Sequence, residues 1–188
     1  YTQPTVQNPC GNVTISLLNG LPSNSVFPKG TTMVSWKATS TNGTTTTCSF
    51  TVMVTDTEPP VANCPANTIR STDANLCSAV VTYASATAAD NCPGATAAYV
   101  SGGTSGATFL KGITTVVWKA TDSANLTATC SFTVTVNDTQ APTIACPANI
   151  VRGTDPNLCS AVVAYTTPAF SDNCPGVTAM HTSGGTSG

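Results

Sequence analysis

The sequence repeats itself at a spacing of 82 residues, and this register holds without a gap through the 188 residues of the chain. Two of the longer matches are Cys48-Ser-Phe-Thr-Val52, which recurs as Cys130-Ser-Phe-Thr-Val134, and Asn75-Leu-Cys-Ser-Ala-Val-Val81, which recurs at 157–163. A fixed period of this length predicts tandem copies of one folded unit. We therefore expect a partial repeat at 1–57, a complete repeat at 58–139 and a further partial repeat at 140–188.

The cysteines keep the same register. Cys10 aligns with Cys92 and Cys174, Cys48 with Cys130, Cys64 with Cys146, and Cys77 with Cys159. Four cysteines in a repeat of this size are typical of disulfide-bonded domains, which persist in oxidising compartments. The sequence therefore predicts an extracellular or cell-surface protein. Since Tyr1 and Gly188 both fall inside a repeat and no signal peptide is present, we expect the sequence to lie within a longer polypeptide.

Charge content excludes two classes of partner. Only 7% of the residues are charged, the net charge is −2 and the six basic residues are scattered. Such a chain has no basic patch that could neutralise several phosphates, which argues against nucleic-acid binding and against anionic membrane surfaces. No apolar run is long enough to span a membrane.

Alternating apolar residues predict strands. In the complete repeat, Cys130, Phe132, Val134 and Val136 fall on one face of a predicted strand. The preceding segment alternates through Val116, Trp118 and Ala120, and an earlier one through Cys77, Ala79, Val81 and Tyr83. Turn-forming clusters separate these segments and no helical period is evident, so we predict an all-β, two-sheet sandwich. The linkers Asp56-Thr-Glu-Pro-Pro60 and Asp138-Thr-Gln-Ala-Pro142 are short and proline-containing, which favours end-to-end repeats.

Several of these motifs together resemble one known family. They are Cys64-Pro-Ala-Asn67, Cys77-Ser-Ala-Val-Val81, Asp90-Asn-Cys92, Phe109-Leu-Lys-Gly112, Trp118-Lys-Ala-Thr-Asp122 and Cys130-Ser-Phe-Thr-Val134. The set is similar to the hyalin repeat, and the resemblance covers essentially the whole chain. It implies tandem immunoglobulin-like sandwiches associated with cell adhesion and extracellular matrices, including long surface proteins of gliding and biofilm-forming bacteria.

The resemblance also implies the disulfide pairing. We expect Cys64 to join Cys130, Cys77 to join Cys92, and Cys159 to join Cys174. Cys10, Cys48 and Cys146 would then pair outside this sequence or between subunits.

Metal binding has weaker support. The cysteine spacings lack the short paired spacing of zinc ligands. Asp56 and Asp138 end their repeats and are candidate calcium ligands, which Asp73, Asp90 and Asp122 could join. The alternative is turn capping, because Asp beside Pro and Gly commonly binds local backbone and calcium requires six to eight oxygens. The first repeat has Ser40 where the complete one has Asp122. We expect no obligatory cofactor.

Glycosylation is a further hypothesis. Asn-x-Ser/Thr matches occur at Asn12, Asn42, Asn125 and Asn137, and Asp122-Ser123-Ala124 resembles a bacterial O-glycosylation signal at Ser123. Glycan would supply solubility to a surface with so few charges.

Catalysis has little basis in the sequence, and we predict that the chain is not an enzyme. The single histidine, His181, aligns with Tyr99 and indicates a half-exposed sheet position. Trp36 and Trp118 could stack on sugars, but their alternation places them in the core.

The sequence favours a structural and adhesive segment of an extracellular fibre, stalk or filament, whose partners are neighbouring repeats or further copies of itself. One alternative is a glycan- or ligand-binding adhesin module that uses the loops at 90–94 and 101–106. The other is a set of spacer repeats in a larger secreted enzyme.

Overall fold

A computed structural model describes residues 1–7 and 11–183. The first repeat forms β1 (Val13–Asn19), β2 (Gly30–Ser40) and β3 (Thr45–Val54). The complete repeat forms β4 (Val61–Asn63), β5 (Thr68–Ser71), β6 (Ser78–Val80), β7 (Thr87–Ala89), β8 (Thr96–Ser101), β9 (Thr108–Leu110), β10 (Gly112–Thr121) and β11 (Thr127–Asn137). The third forms β12 (Thr143–Ala145) and β13 (Ala169–Ser171). The described residues include no helix that could cross a membrane.

The complete repeat is built from two layers. One is a four-stranded sheet in the order β5-β11-β10-β8, in which only the β5–β11 pair is parallel. The other consists of two short antiparallel pairs, β4–β7 and β6–β9. The all-β, disulfide-bonded sandwich that the sequence predicts is confirmed.

The core lies between these layers and follows the predicted alternation. Phe132, Val134 and Val136 of β11 are 1–3% exposed, whereas Ser131 on the opposite face is exposed. They pack against the remaining core residues of the cluster, Ala79, Val81, Phe109 and Val116. Because each fully buried Val or Phe contributes about 1.5–3 kcal/mol relative to an exposed one, this face accounts for most of the stabilisation of β11.

The two tryptophans lie on the inward face, as predicted, but differ in depth. Trp36 is buried, while Trp118 is half-buried and makes an edge-to-face contact with Tyr99 across the β8–β10 pair. Trp118 also lies opposite Cys130 in the β10–β11 pair. The indole ring of Trp118 therefore covers the end of the core at which Cys130 lies.

The sequence period is preserved in the strand pairing. Trp36 pairs with Cys48 between β2 and β3, and Trp118 pairs with Cys130 between β10 and β11. In the other layer, β12–β13 repeats the register of β4–β7. The first repeat therefore forms the counterparts of β8, β10 and β11, and the third forms those of β4 and β7, whereas the segments equivalent to β5 and β6 are not strands in the third repeat.

One glycine is required by a close approach of backbone. Gly102 has φ +99°, and a Cβ atom there would lie 2.0 Å from the carbonyl oxygen of Thr115. This contact occurs where the register of β8 against β10 shifts between Val117 and Trp118. A larger residue could not follow this bulge.

Candidate functional site at the repeat junctions

One disulfide lies within the complete repeat. Cys64, directly after β4, bonds to Cys130 of β11 with an S–S distance of 2.00 Å. Because the two residues belong to opposite layers, the bond ties the layers together. This is the pairing that the hyalin-repeat resemblance implies.

The second disulfide joins two repeats. Cys77 of the complete repeat bonds to Cys174 of the third, across a sequence separation of 97 residues. The expected bonds Cys77–Cys92 and Cys159–Cys174 are not formed, and Cys92 and Cys159 are free thiols. Cys48 and Cys146 are also free thiols, and Cys10 lies outside the described residues.

The positions of Cys77 and Cys92 along the repeat explain why these two cysteines do not pair with each other. The loop that contains Cys77 lies at the end that leads into the following linker, since Thr72 donates its amide to the carbonyl of Asn137. Cys92 lies at the opposite end, where its thiol is hydrogen-bonded to Asp56 of the preceding linker. The two cysteines of one repeat therefore face different neighbours.

The first junction contains a lysine–aspartate pair. Lys29 Nζ, from the first repeat, lies 3.0 Å from Asp56 Oδ2 and also donates to Ser123 Oγ of the complete repeat. The hydrogen bond from Lys29 lowers the pKa of Asp56, and the Cys92 thiol adds to this shift. The same bonds to Asp56 raise the pKa values of Lys29 and of Cys92.

The second junction repeats this arrangement. Lys111 Nζ lies 3.3 Å from Asp138 Oδ2, one period after the first pair. Burial opposes ionisation of Asp138, but hydrogen bonds from the Gln140 amide, Lys111 and Asn173 keep its pKa below the ordinary value. Asn173 also donates to the Leu76 carbonyl at 2.8 Å and so connects the third repeat to the complete one.

A further contact fixes this junction. The amide of Asn75 donates to Gln140 Oε1 at 3.0 Å, and Gln140 Nε2 returns a bond of 3.4 Å to Asn75 Oδ1. Both residues lie at the end of the complete repeat or in the linker after it. The linker is thus bonded to the complete repeat through the Gln140 side chain as well as through its covalent ends.

The calcium candidates divide between these pairs and turn caps. Asp56, Asp90 and Cys92 offer ligand atoms within 4.8 Å of one another, but the Lys29 ammonium already contacts Asp56. Asp122 is 5% exposed, and its Oδ1 accepts the amides of Ala124 and Leu126. The Asp73 and Asp90 carboxylates accept the amides of Val80 and Cys92 respectively. One or two carboxylates beside an ammonium supply fewer oxygens than calcium requires.

The candidate glycosylation sites are accessible to different degrees. Asn12, Asn42, Asn125 and Asn137 lie at the surface of their repeats. Asn42 Oδ1 accepts the amide of Thr44 at 3.1 Å and stabilises the turn between β2 and β3. Ser123 is exposed, but its hydroxyl accepts the hydrogen bond from Lys29 within the first junction.

The remaining candidates do not form a shared site. His181 is exposed on the third repeat. The loop at 101–106 is bonded within its own repeat, because Ser105 Oγ contacts both the amide and the carbonyl of Tyr83. The loop at 90–94 contributes Cys92 to the first junction.

Sequence reasoning missed Lys29, Lys111 and Asn173. A signal for the lysines was present, because Phe-x-Lys-Gly recurs in register with the aspartate of each linker. Two opposite charges that recur together at one period indicate a contact in the folded unit only if the fold brings the loop that carries the lysine next to the linker. The strand order supplies that information.

Comparison with known proteins gives consistent matches. The family profile described as HYR domain matches residues 1–54, 55–136 and 137–188, about three residues earlier than the boundaries drawn from the period. Hyalin of Strongylocentrotus purpuratus is 34% identical over 178 residues, covering 92% of this chain and 15% of that protein. Hyalin of Lytechinus variegatus is 31% identical over 177 residues, covering 92% of this chain and 33% of that protein. The chain thus spans a third or less of the length of these relatives.

Two solved structures are distant neighbours. Protocadherin gammaB7 EC3-6, described as a cis-dimer structure, gives a TM-score of 0.36 at 18% identity, with 77% of this chain and 46% of that chain covered. The protocadherin gammaB4 extracellular domain gives the same TM-score and identity over 76% of this chain and 30% of that chain. These scores are too low to add to the fold as described. Because the profile matches three times in succession and two hyalins align along nearly the whole sequence, the chain belongs to the HYR domain family.

Proposed function

We propose that this chain is a segment of an extracellular fibre or stalk, in which tandem repeats supply length, stiffness and cell adhesion. The observation that supports it best is the repeated bonding at the junctions. Lys29–Asp56 and Lys111–Asp138 occupy equivalent positions, and the second junction adds a disulfide and the contacts of Asn173. Each Lys–Asp pair anchors a linker to the repeat before it, and the bonds from Lys29 to Ser123 and from Asn173 to Leu76 cross to the neighbouring repeat, so that both junctions resist bending.

The extracellular location rests on the cysteine chemistry. A disulfide between layers and another between repeats both require an oxidising compartment. The partners that this proposal implies are neighbouring repeats, further copies of the chain and the surrounding matrix, whereas cell-surface glycans are the partners of the adhesin-module alternative. No catalytic role is proposed for any residue.

The junctions use a lysine ammonium in the place where a divalent cation would neutralise the linker carboxylate. In the first junction, Lys29 bridges Asp56 and Ser123. Stiffness obtained in this way does not depend on calcium. This distinguishes the proposed stalk from arrays of adhesion repeats that are rigidified by bound metal.

Small-angle X-ray scattering tests the proposal. The chain is compared with the double variant Lys29→Gln/Lys111→Gln, which removes both ammonium groups at the junctions and retains polar side chains. Lys119→Gln is the matched control, because Lys119 is exposed on β10 away from either linker. We expect the double variant to have a shorter maximum dimension and a broader distance distribution, and the control to match the parent.

Two outcomes would contradict the proposal. One is a parent chain that scatters as a flexible string of repeats, with no change in the double variant. The other is saturable binding of a defined glycan by the chain on a glycan array, which would favour the adhesin-module alternative over a mechanical role.

A further inference from the structure

The cysteine that bridges the second junction has an unbridged counterpart at the first. Cys174 aligns with Cys92 at a spacing of one period, and both lie directly after an asparagine at the start of the turn that follows the β7 or β13 strand. Cys92 Sγ lies within 4.8 Å of a carboxylate oxygen of Asp56 in the first linker, and Cys174 is next to Asn173, which donates to the Leu76 carbonyl at the second junction. Cys92 therefore occupies the place at the first junction that Cys174 occupies at the second.

The other half of the bridge also has a counterpart. Cys77 aligns with Cys159, and the two loops have the same hydrogen bonds. The Asp73 amide donates to the Ser78 carbonyl at 2.8 Å, and the Asp155 amide donates to the Ser160 carbonyl at 2.8 Å. The carboxylate of Asp155 likewise accepts the Val162 amide at 2.9 Å, as that of Asp73 accepts the Val80 amide. The loop that contains Cys159 thus has the same backbone hydrogen bonds as the loop that contains the disulfide-bonded Cys77.

From this equivalence we propose that every junction of the array is crossed by one disulfide. Cys92 bonds to the cysteine of the preceding repeat that is equivalent to Cys77. Cys159 bonds to the cysteine of the following repeat that is equivalent to Cys174. The separation of 97 residues in the observed bond exceeds the 82-residue period, so the same bond in any repeat must reach its neighbour. This inference builds on the proposed tandem array and adds its covalent connectivity.

The chemistry of each bridge is an ordinary thiol oxidation. Two thiols lose two protons and two electrons, and one S–S bond forms. The electrons pass by thiol–disulfide exchange to a disulfide oxidant, such as oxidised glutathione or an oxidoreductase of the secretory compartment, which is reduced to two thiols. The array then has two covalent connections at every boundary, the linker and the bridge, so that cleavage of one linker does not separate the repeats.

A tryptic map of the full chain without reduction tests the bond at the second junction. The protein is produced in an oxidising compartment, and free thiols are blocked with N-ethylmaleimide before digestion. Trypsin cuts after Arg70, Lys111 and Arg152, which places Cys77 with Cys92 in peptide 71–111 and Cys159 with Cys174 in peptide 153–188. We expect these two peptides to be joined, with one blocked cysteine in each.

The competing pairing gives a different product. Bonds Cys77–Cys92 and Cys159–Cys174 would leave 71–111 and 153–188 as separate peptides, each two hydrogens lighter than its reduced form, and would overturn the proposal. Blocked thiols at both Cys77 and Cys174 would also overturn it. The bond Cys64–Cys130 serves as an internal control, because it joins peptides 38–70 and 120–152 in either case.

An extended chain tests the first junction. Since Tyr1 aligns with Tyr83, a copy of residues 58–82 fused to the amino terminus of Tyr1 completes the first repeat in register. We expect Cys92 to become fully protected from N-ethylmaleimide and to join the peptide that contains the copied Cys77. Closure of the copied Cys77 onto Cys10, with Cys92 still reactive, would overturn the proposal. A chain that scatters as a stiff rod yet shows this closure would refute the bridges and leave the proposed stalk intact.

Discussion

Lys29 of the first repeat and Asp56 of the linker after it form the simplest of the contacts at the junctions, one ammonium against one carboxylate. The pair raises the pKa of Lys29 and lowers the pKa of Asp56. A carboxyl group whose pKa is lower in the folded chain contributes stability above its unfolded pKa, and that contribution disappears as the pH falls through the folded pKa. The first junction should therefore weaken in acid.

This gives a prediction with a defined pH window. At pH 7, Lys29→Gln should lower the melting temperature of the chain, because Asp56 loses its charged partner. As the pH falls below the ordinary carboxyl pKa of 3.8, the difference between variant and parent should shrink and vanish. Thermal unfolding by circular dichroism between pH 7 and pH 3 measures it, with Lys119→Gln as control. A difference that persists unchanged at pH 3 would assign the effect to packing of the lysine stem.

Gly102 gives a second prediction for a single residue. Gly102→Ala should destabilise the complete repeat by about 3 kcal/mol or more, because the left-handed backbone costs about 1–2 kcal/mol and the new Cβ would overlap the Thr115 carbonyl. Gly112→Ala is the matched control, since Gly112 has φ +123° with open space around its Cβ position. Urea unfolding should show a clearly larger loss for Gly102→Ala, and equal losses would disprove the steric argument.

At the scale of elements, the strands follow from the alternation of side chains. The β11 face with Phe132, Val134 and Val136 could be predicted because strand side chains alternate strictly between a buried and a solvated layer. The sequence also indicates a broken strand at 61–64 and 69–72, but it could not predict that the two pieces, β4 and β5, join different layers. That change of sheet depends on which strands are neighbours, and alternation along one strand carries no information about neighbours.

The core face of β11 yields a third prediction. Phe132→Ala should destabilise the chain by about 3–5 kcal/mol, because it leaves a cavity between Val116 and the β6–β9 pair. Ser131→Ala, one position away on the exposed face, should change the free energy of unfolding by less than about 0.5 kcal/mol. Denaturant unfolding of both variants provides the comparison. Similar effects at the two positions would mean that the Phe132 face of β11 does not face the core.

At the scale of the whole molecule, the cysteines show where a repeating sequence becomes ambiguous. The period predicts which cysteines are equivalent, but it gives Cys77 two candidate partners of the same class, Cys92 in its own repeat and Cys174 in the next. The hyalin-repeat resemblance implies the nearer one. The choice is decided by the ends of the sandwich at which the loops lie, and this requires the order of strands in both layers.

The disulfide within the complete repeat gives the fourth prediction. Replacing Cys64 and Cys130 together by alanine should cost about 4 kcal/mol, the loop-closure value for a separation of 66 residues. The same double variant should leave Cys77 and Cys174 joined. Thermal unfolding and a non-reduced tryptic map measure the two effects. An unchanged melting temperature would mean that the bond adds nothing to the packed core.

The absence of calcium dependence is the fifth prediction. Because the Asp56 and Asp138 carboxylates are paired with Lys29 and Lys111, the melting temperature should be the same in millimolar calcium and in excess chelator. Differential scanning calorimetry of the chain in both buffers measures it. An upward shift with calcium that is removed by chelator would restore these aspartates as metal ligands.

We infer that the bonds at the junctions hold neighbouring repeats in a fixed relative orientation. Residual dipolar couplings measure this most directly, because each repeat reports its own alignment tensor in a weakly aligned sample. We expect one shared tensor for the first and the complete repeat, with equal magnitude and rhombicity. Tensors of clearly different magnitude for the two repeats would mean that they reorient independently, and would contradict it.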